Sequence, residues 1–207
     1  MNRERAMPTM TTTPKSANLL LRLRGFARGQ GGMAAAEFAL ILPFMLTAYL
    51  GGVELGDGVA INRKVAITTR AVADLATRYN IKIADADMST ILGASSTILA
   101  PYPAGPLAVT VSQVKVDSTG AATITWSNTL NGTARAAGSS VTLPGTLATA
   151  AVNQNGTNTF YILGEAAYNY TPTLGYVMTG TVTLTNKIFM SPRESPCISR
   201  VGVYTCP

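Results

Sequence analysis

The chain of 207 residues contains no histidine, has two cysteines and carries a formal net charge of +6. Without histidine it cannot assemble a Ser-His-Asp or Cys-His nucleophilic unit or a His-containing zinc site. It also has no GxxxxGK[ST] or GxGxxG phosphate loop, so neither an enzyme nor a cofactor is expected. Residues 1–32 hold six basic side chains against Glu4 alone, whereas the remainder balances ten basic with nine acidic ones, which leaves no evident nucleic-acid surface in the folded part.

In chain order, residues 1–32 form a basic leader ending in Gly31-Gly32. Its positive charge reads as a signal for retention on the cytoplasmic side of a membrane. Met33-Ala-Ala-Ala-Glu37-Phe38 follows, and from Phe38 to Val53 there is no charge. The 21 residues from Met33 to Val53 would span about 32 Å as a helix at roughly 1.5 Å per residue. That is enough to cross a hydrocarbon core of about 30 Å, and residues 33–56 are assigned as the transmembrane segment. The positive-inside rule places the N-terminus in the cytoplasm and everything after about Glu54 outside. Pro43 is expected to kink this helix. A secretory signal peptide fits less well: Gly51-Gly52-Val53-Glu54 offers no small-x-small site, and the Ala-rich stretch precedes the apolar core.

Residues 57–99 read as an exported helical region. Ile61, Val65, Thr68, Val72, Leu75 and Tyr79 recur at spacings of 3 and 4, which continues the helix to about Tyr79 with one apolar stripe. Arg70–Asp74 and Asp74–Arg78 stand at favourable i,i+4 separation. Gly51, Gly52, Gly56 and Gly58 have low helix propensity and permit a bend at the junction. A short second helix is expected over 86–92 with Asp85 as its N-cap, and capping explains Asp85-x-Asp87-x-Ser89 better than a metal loop does.

Residues 100–207 form a β-rich domain with a C-terminal tail. The β-branched run 107–116, the Asp117-Ser-Thr-Gly120 turn and the return over 121–126 predict a hairpin. Residues 128–156 read as a polar loop, with a helical turn near Leu147. Strands follow at about 159–170 and 180–190, and alternation of Val177, Thr179, Thr181 and Thr183 against Met178, Val182 and Leu184 suits a sheet with one covered face. Trp126, Tyr161, Tyr168, Tyr170 and Tyr176 are expected in the sheet core. Cys197 and Cys206 would face an oxidising compartment and close a disulfide. The fold class is therefore α+β, with a long N-terminal helix packed on a small antiparallel sheet.

Glycine, four residues, Glu37 and then Phe38, in front of an apolar helix containing Pro43, resembles the processing region of type IVb Tad/Flp prepilins. The match is closest to the TadE/TadG-like minor pilins or pseudopilins. Val182-Thr183-Leu184 and Pro192-Arg193-Glu194-Ser195 are similar to the strand and Pro-Arg tail of many members. The resemblance implies cleavage between Gly32 and Met33 by a prepilin peptidase. Its implied partners are other pilin-like subunits, the Tad assembly machinery and the lipid bilayer. The implied location is a single-pass inner-membrane protein with a periplasmic C-terminal domain, which can enter an extracellular pilus. Cleavage would create an amine on Met33 one helical turn from Glu37. A carboxylate at the edge of a bilayer is costly, and pairing it with a neighbour's amine would fix axial register; the competing reading lets Glu37 snorkel into water. The other functional reading is an uncleaved, membrane-anchored envelope protein exposing a β-rich adhesion or interaction domain.

Overall fold

The computed structural model describes residues 32–152, 158–172, 175 and 179–207. The leader through Gly31, together with Tyr176, Val177 and Met178 of the expected strand pattern, lies outside them. The chain divides into two compact units, Met1–Tyr49 and Leu50–Pro207.

Helix α1 runs from Gly32 to Thr77. Within Met1–Tyr49 its side chains are exposed all round, including Leu40, Phe44 and Tyr49. Pro43 lies inside the helix, and the exposed Thr47 hydroxyl donates to the Pro43 carbonyl at 2.8 Å. The chain stays helical through Gly51, Gly52, Gly56 and Gly58; neighbouring helix formers offset the low propensity of single glycines.

Within Leu50–Pro207, α1 becomes one-sided. Ile61, Val65, Thr68 and Val72 are buried as the stripe requires, with Leu75 and Tyr79 packed at its margin. Asp74 pairs with Arg78 and Arg193 rather than with Arg70. The tail thereby displaces the local partner that spacing alone suggested.

A two-residue strand β1 (Lys82–Ile83) leads into α2 (Asp85–Leu99). The second helix is thus longer than expected, and Ala84, not Asp85, is its N-cap. Asp87 does the capping by accepting the Ala84 backbone N–H at 2.9 Å.

Strands β2 (Leu107–Val116) and β3 (Ala122–Leu130) form the hairpin, followed by α3 (Gly145–Val152), β4 (Thr159–Tyr170) and β5 (Val182–Met190). The sheet order is β3-β2-β4-β5, and each neighbouring pair is antiparallel. β3 runs into what the sequence suggested was loop, because Thr129 and Leu130 still pair with Thr110 and Val109. A final two-residue strand, β6 (Ser199–Arg200), pairs in parallel with β1.

One sheet face, bearing Leu107, Val109, Val111, Ala166 and Tyr168, packs with α1 and α2. At Gly164 α1 comes close: an added Cβ would lie 2.9 Å from Ala73 Cβ and 3.1 Å from the Thr69 carbonyl oxygen. The expectation of a single covered face is corrected by a second cluster on the opposite side. There Val114, Val116, Tyr161 and Leu163 meet Val141 and Ala151, with Leu143 and Leu147 packed against them. The polar composition of 128–156 hid these few apolar residues, which pack residues 141–151 against that face of the sheet.

Candidate functional site

The residues singled out at the N-terminal end begin the helix. Gly32 and Met33 form its first turn, and Glu37 and Phe38 stand one turn further along, all exposed. Helical geometry puts positions 33 and 37 on the same face. From Phe38 the exposed surface is apolar through Leu46 and Tyr49. Exposure of so many large apolar side chains on one helix is costly in water and favourable in lipid. Among the described residues, α1 is the one helix long and apolar enough to cross a membrane.

The Leu50–Pro207 unit carries two features that sequence reasoning missed. The first is Glu54, which is only 2 % exposed on α1. The Tyr170 hydroxyl donates to its backbone carbonyl at 3.4 Å. Burial pushes the pKa of the Tyr170 hydroxyl above its ordinary value, and the Asp57 and Glu54 carboxylates add to that shift. No period or motif distinguishes Glu54 in the sequence; only its place at the end of the uncharged run marks it.

The second is a clasp made by the C-terminal tail. Cys197 and Cys206 are joined by a disulfide. Between them Arg200, 3 % exposed, reaches three partners: the Ile83 carbonyl at 3.2 Å, Asn128 Oδ1 at 2.9 Å and Asp85 Oδ1 at 2.5 Å. A buried guanidinium is tolerated only when its donors are met, and here strand, helix and sheet each supply an acceptor. Buried Gln113 accepts the Ile198 backbone N–H at 2.8 Å, and Trp126 Nε1 donates to the Ile198 carbonyl at 2.9 Å. Arg193 pairs with Asp74 and donates its backbone N–H to the Thr77 carbonyl at 3.0 Å. The tail therefore ties the end of α1, β1, α2 and the β2–β3 hairpin together.

On the outer sheet face, Arg135 forks onto Glu165 at 2.6 and 2.7 Å. The hydrogen bonds to Glu165 raise the Arg135 ionisation. This pair holds the 131–135 segment over β4. Trp126, Tyr161, Tyr168 and Tyr170 are all buried in the sheet, where they fill core rather than offering a stacking platform.

These features define a class: an α+β chain whose long N-terminal helix fits single-pass membrane anchoring at one end and packs on an antiparallel sheet at the other. A family model described as TadE-like protein matches residues 32–74. The match is consistent with the TadE-like family of Tad pili. It lies along α1 as far as Asp74, so it covers the apolar stretch and most of the packed stretch of the same helix. No curated protein and no solved structure matches the chain.

Proposed function

We propose that the protein is a non-enzymatic minor pilin or pseudopilin-like component of Tad pilus biogenesis. The observation that carries this reading is that the TadE-like match over residues 32–74 falls on α1. In this reading α1 holds the chain in the inner membrane, with the leader in the cytoplasm and the Leu50–Pro207 unit in the periplasm. A prepilin peptidase cuts between Gly32 and Met33, removing most of the excess positive charge. The new amine of Met33 meets the Glu37 carboxylate of a neighbouring subunit, and each charge relieves the other's desolvation while setting axial register. Partners are then other pilin-like subunits and the Tad machinery.

Intact mass and N-terminal sequencing of the membrane-extracted protein test the first step. A mature N-terminus at Met33 is expected; a retained leader would favour an uncleaved envelope protein with a β-rich interaction domain. Glu37→Ala is expected to be cleaved but poorly incorporated into the assembly. Incorporation equal to wild type would remove the register role.

A further inference from the structure

Past the uncharged run, α1 still shows apolar side chains to solvent. Val59 is 70 % exposed and Ile67 45 % exposed, although the opposite face of the same turns is packed. Between these residues and the 101–102 segment lies an open groove of about 550 Å³, lined by Gly56, Val59, Ala60, Arg63, Ile67 and Tyr102. Lys64 also lines it, with its ammonium already donating to the Ile98 carbonyl at 3.3 Å. Arg63 is exposed and forms no hydrogen bond or ion pair among the described residues.

The position of the groove along α1 selects what fills it. At about 1.5 Å per residue, Val59 lies about 5 Å, Ala60 about 6 Å and Arg63 about 11 Å beyond Gly56, the last residue assigned to the transmembrane segment. The polar layer on each side of the hydrocarbon core is about 5–8 Å thick. Gly56 therefore lies at the edge of the hydrocarbon core, and Val59 and Ala60 fall within that layer. Helical side chains lean toward the helix N-terminus, so Arg63 leans back toward the phosphates, and its long apolar stem lies along the groove. Tyr102 brings to the same level the kind of ring that settles at membrane interfaces.

We infer that this groove is a phospholipid contact, taking the glycerol and upper acyl region of an anionic lipid against Gly56, Val59 and Ala60 and its phosphate on Arg63. The contact rests on α1 being anchored in a bilayer, and it depends neither on which side the unit faces nor on a pilus role. A second copy fits the groove less well. Copies held in one membrane run parallel, so a symmetric seam along this face sets Arg63 against Arg63. A lipid phosphate supplies the opposite charge.

The test uses the full chain with its disulfide closed, carrying a fluorophore on the introduced thiol of Val59→Cys, in phosphatidylcholine nanodiscs. The discs contain headgroup-spin-labelled lipid, either phosphatidylglycerol or phosphatidylcholine. The label is expected to be quenched, more strongly by the anionic lipid, while a label placed by Thr119→Cys in the distal hairpin turn stays bright. Arg63→Gln is expected to cut the anionic preference about fivefold, the share of one cation near a charged surface. A chain retained in the disc whose label at position 59 is unquenched by either lipid overturns the contact while leaving the anchoring intact. Quenching that disappears as copies per disc increase, with the label becoming shielded, assigns the groove to helix pairing and also overturns it. A chain not retained in the disc overturns both the anchoring and the contact.

Discussion

The two stretches of α1 place similar residue types in opposite settings. From Met33 to Tyr49 leucine, phenylalanine and methionine side chains are exposed on every face. From Ile61 to Thr77 the apolar residues are buried on one side, and threonines are buried with them. Thr68, Thr69 and Thr77 satisfy their hydroxyls by donating to the Lys64, Val65 and Asp74 carbonyls at 2.7 to 2.9 Å. The first stretch is shaped by its solvent and needs only to be apolar. The second is shaped by a particular surface, where the size of each side chain matters. One helix can therefore tolerate hydrophobic exchange at one end and resist it at the other.

A matched pair of carboxylates gives the largest expected separation of the two stretches. Val65→Asp buries an unpaired charge in the core and should cost more than about 4 kcal/mol, abolishing the thermal transition of the Leu50–Pro207 unit. Leu46→Asp should leave that transition in place while adding about 2.5–3.5 kcal/mol to membrane insertion, measured by carbonate extraction. If both variants lost the same property, the division of labour along α1 would be wrong. Next in size is replacement of both cysteines by serine. Releasing the short Cys197–Cys206 loop should cost about 2–3 kcal/mol on the chain-entropy model, read from denaturant midpoints. Hydrogen exchange should rise first at Ser199 and Val201, whose amides bond the Ile81 and Ile83 carbonyls.

Gly164→Ala sharpens the packed end further, because the added methyl would press on Ala73 and the Thr69 carbonyl. A loss of about 1–3 kcal/mol is expected, whereas Gly52→Ala, with open space around it, should stay near neutral. The smallest effect is alkaline. Tyr79, Tyr168, Tyr170 and Tyr204 all have pKa values above the ordinary one, chiefly because burial, only partial for Tyr79 and Tyr204, takes them out of water. The unfolded chain therefore releases these protons first. Stability from this source is complete below about pH 10 and falls as pH rises toward the higher folded values. Tyr170→Phe should make the decline of melting temperature above about pH 10 shallower, without changing insertion.

Much of this architecture is periodic, and so it was legible in the chain. The uncharged run, the 3–4 stripe from Ile61 and the hairpin around Asp117-Ser-Thr-Gly120 are local patterns, each with a local cause. The strand over 159–170 appears with the expected bounds, its ends carried by the Thr159–Ile162 run and by Tyr168 and Tyr170, residue types that favour a pleated, half-buried surface. The tail was not legible in this way. Cysteine spacing suggested a loop, but nothing near Arg200 announced that its guanidinium would be buried against a carbonyl 117 residues away. β1 and β6 are too short to carry a period of their own, and each exists only because the other lies beside it.

The same division applies to the candidate site. Gly32, Met33, Glu37 and Pro43 stood out because charge and apolarity change sharply there, and such contrasts survive in one dimension. Glu54 and the groove at Val59 and Arg63 did not, since they differ from their neighbours only by which side the sheet and the 101–102 segment happen to cover. By itself the sequence determined a membrane-length helix continuing into an amphipathic one, and a hairpin-led β region, because hydrophobic period and turn chemistry act within a few residues. Only the tertiary structure decided which carboxylate is buried, which arginine is clasped, and that residues 131–152 cover a second face of the sheet. Those outcomes depend on contacts between segments far apart in the chain, and their free energy appears only once the segments have met.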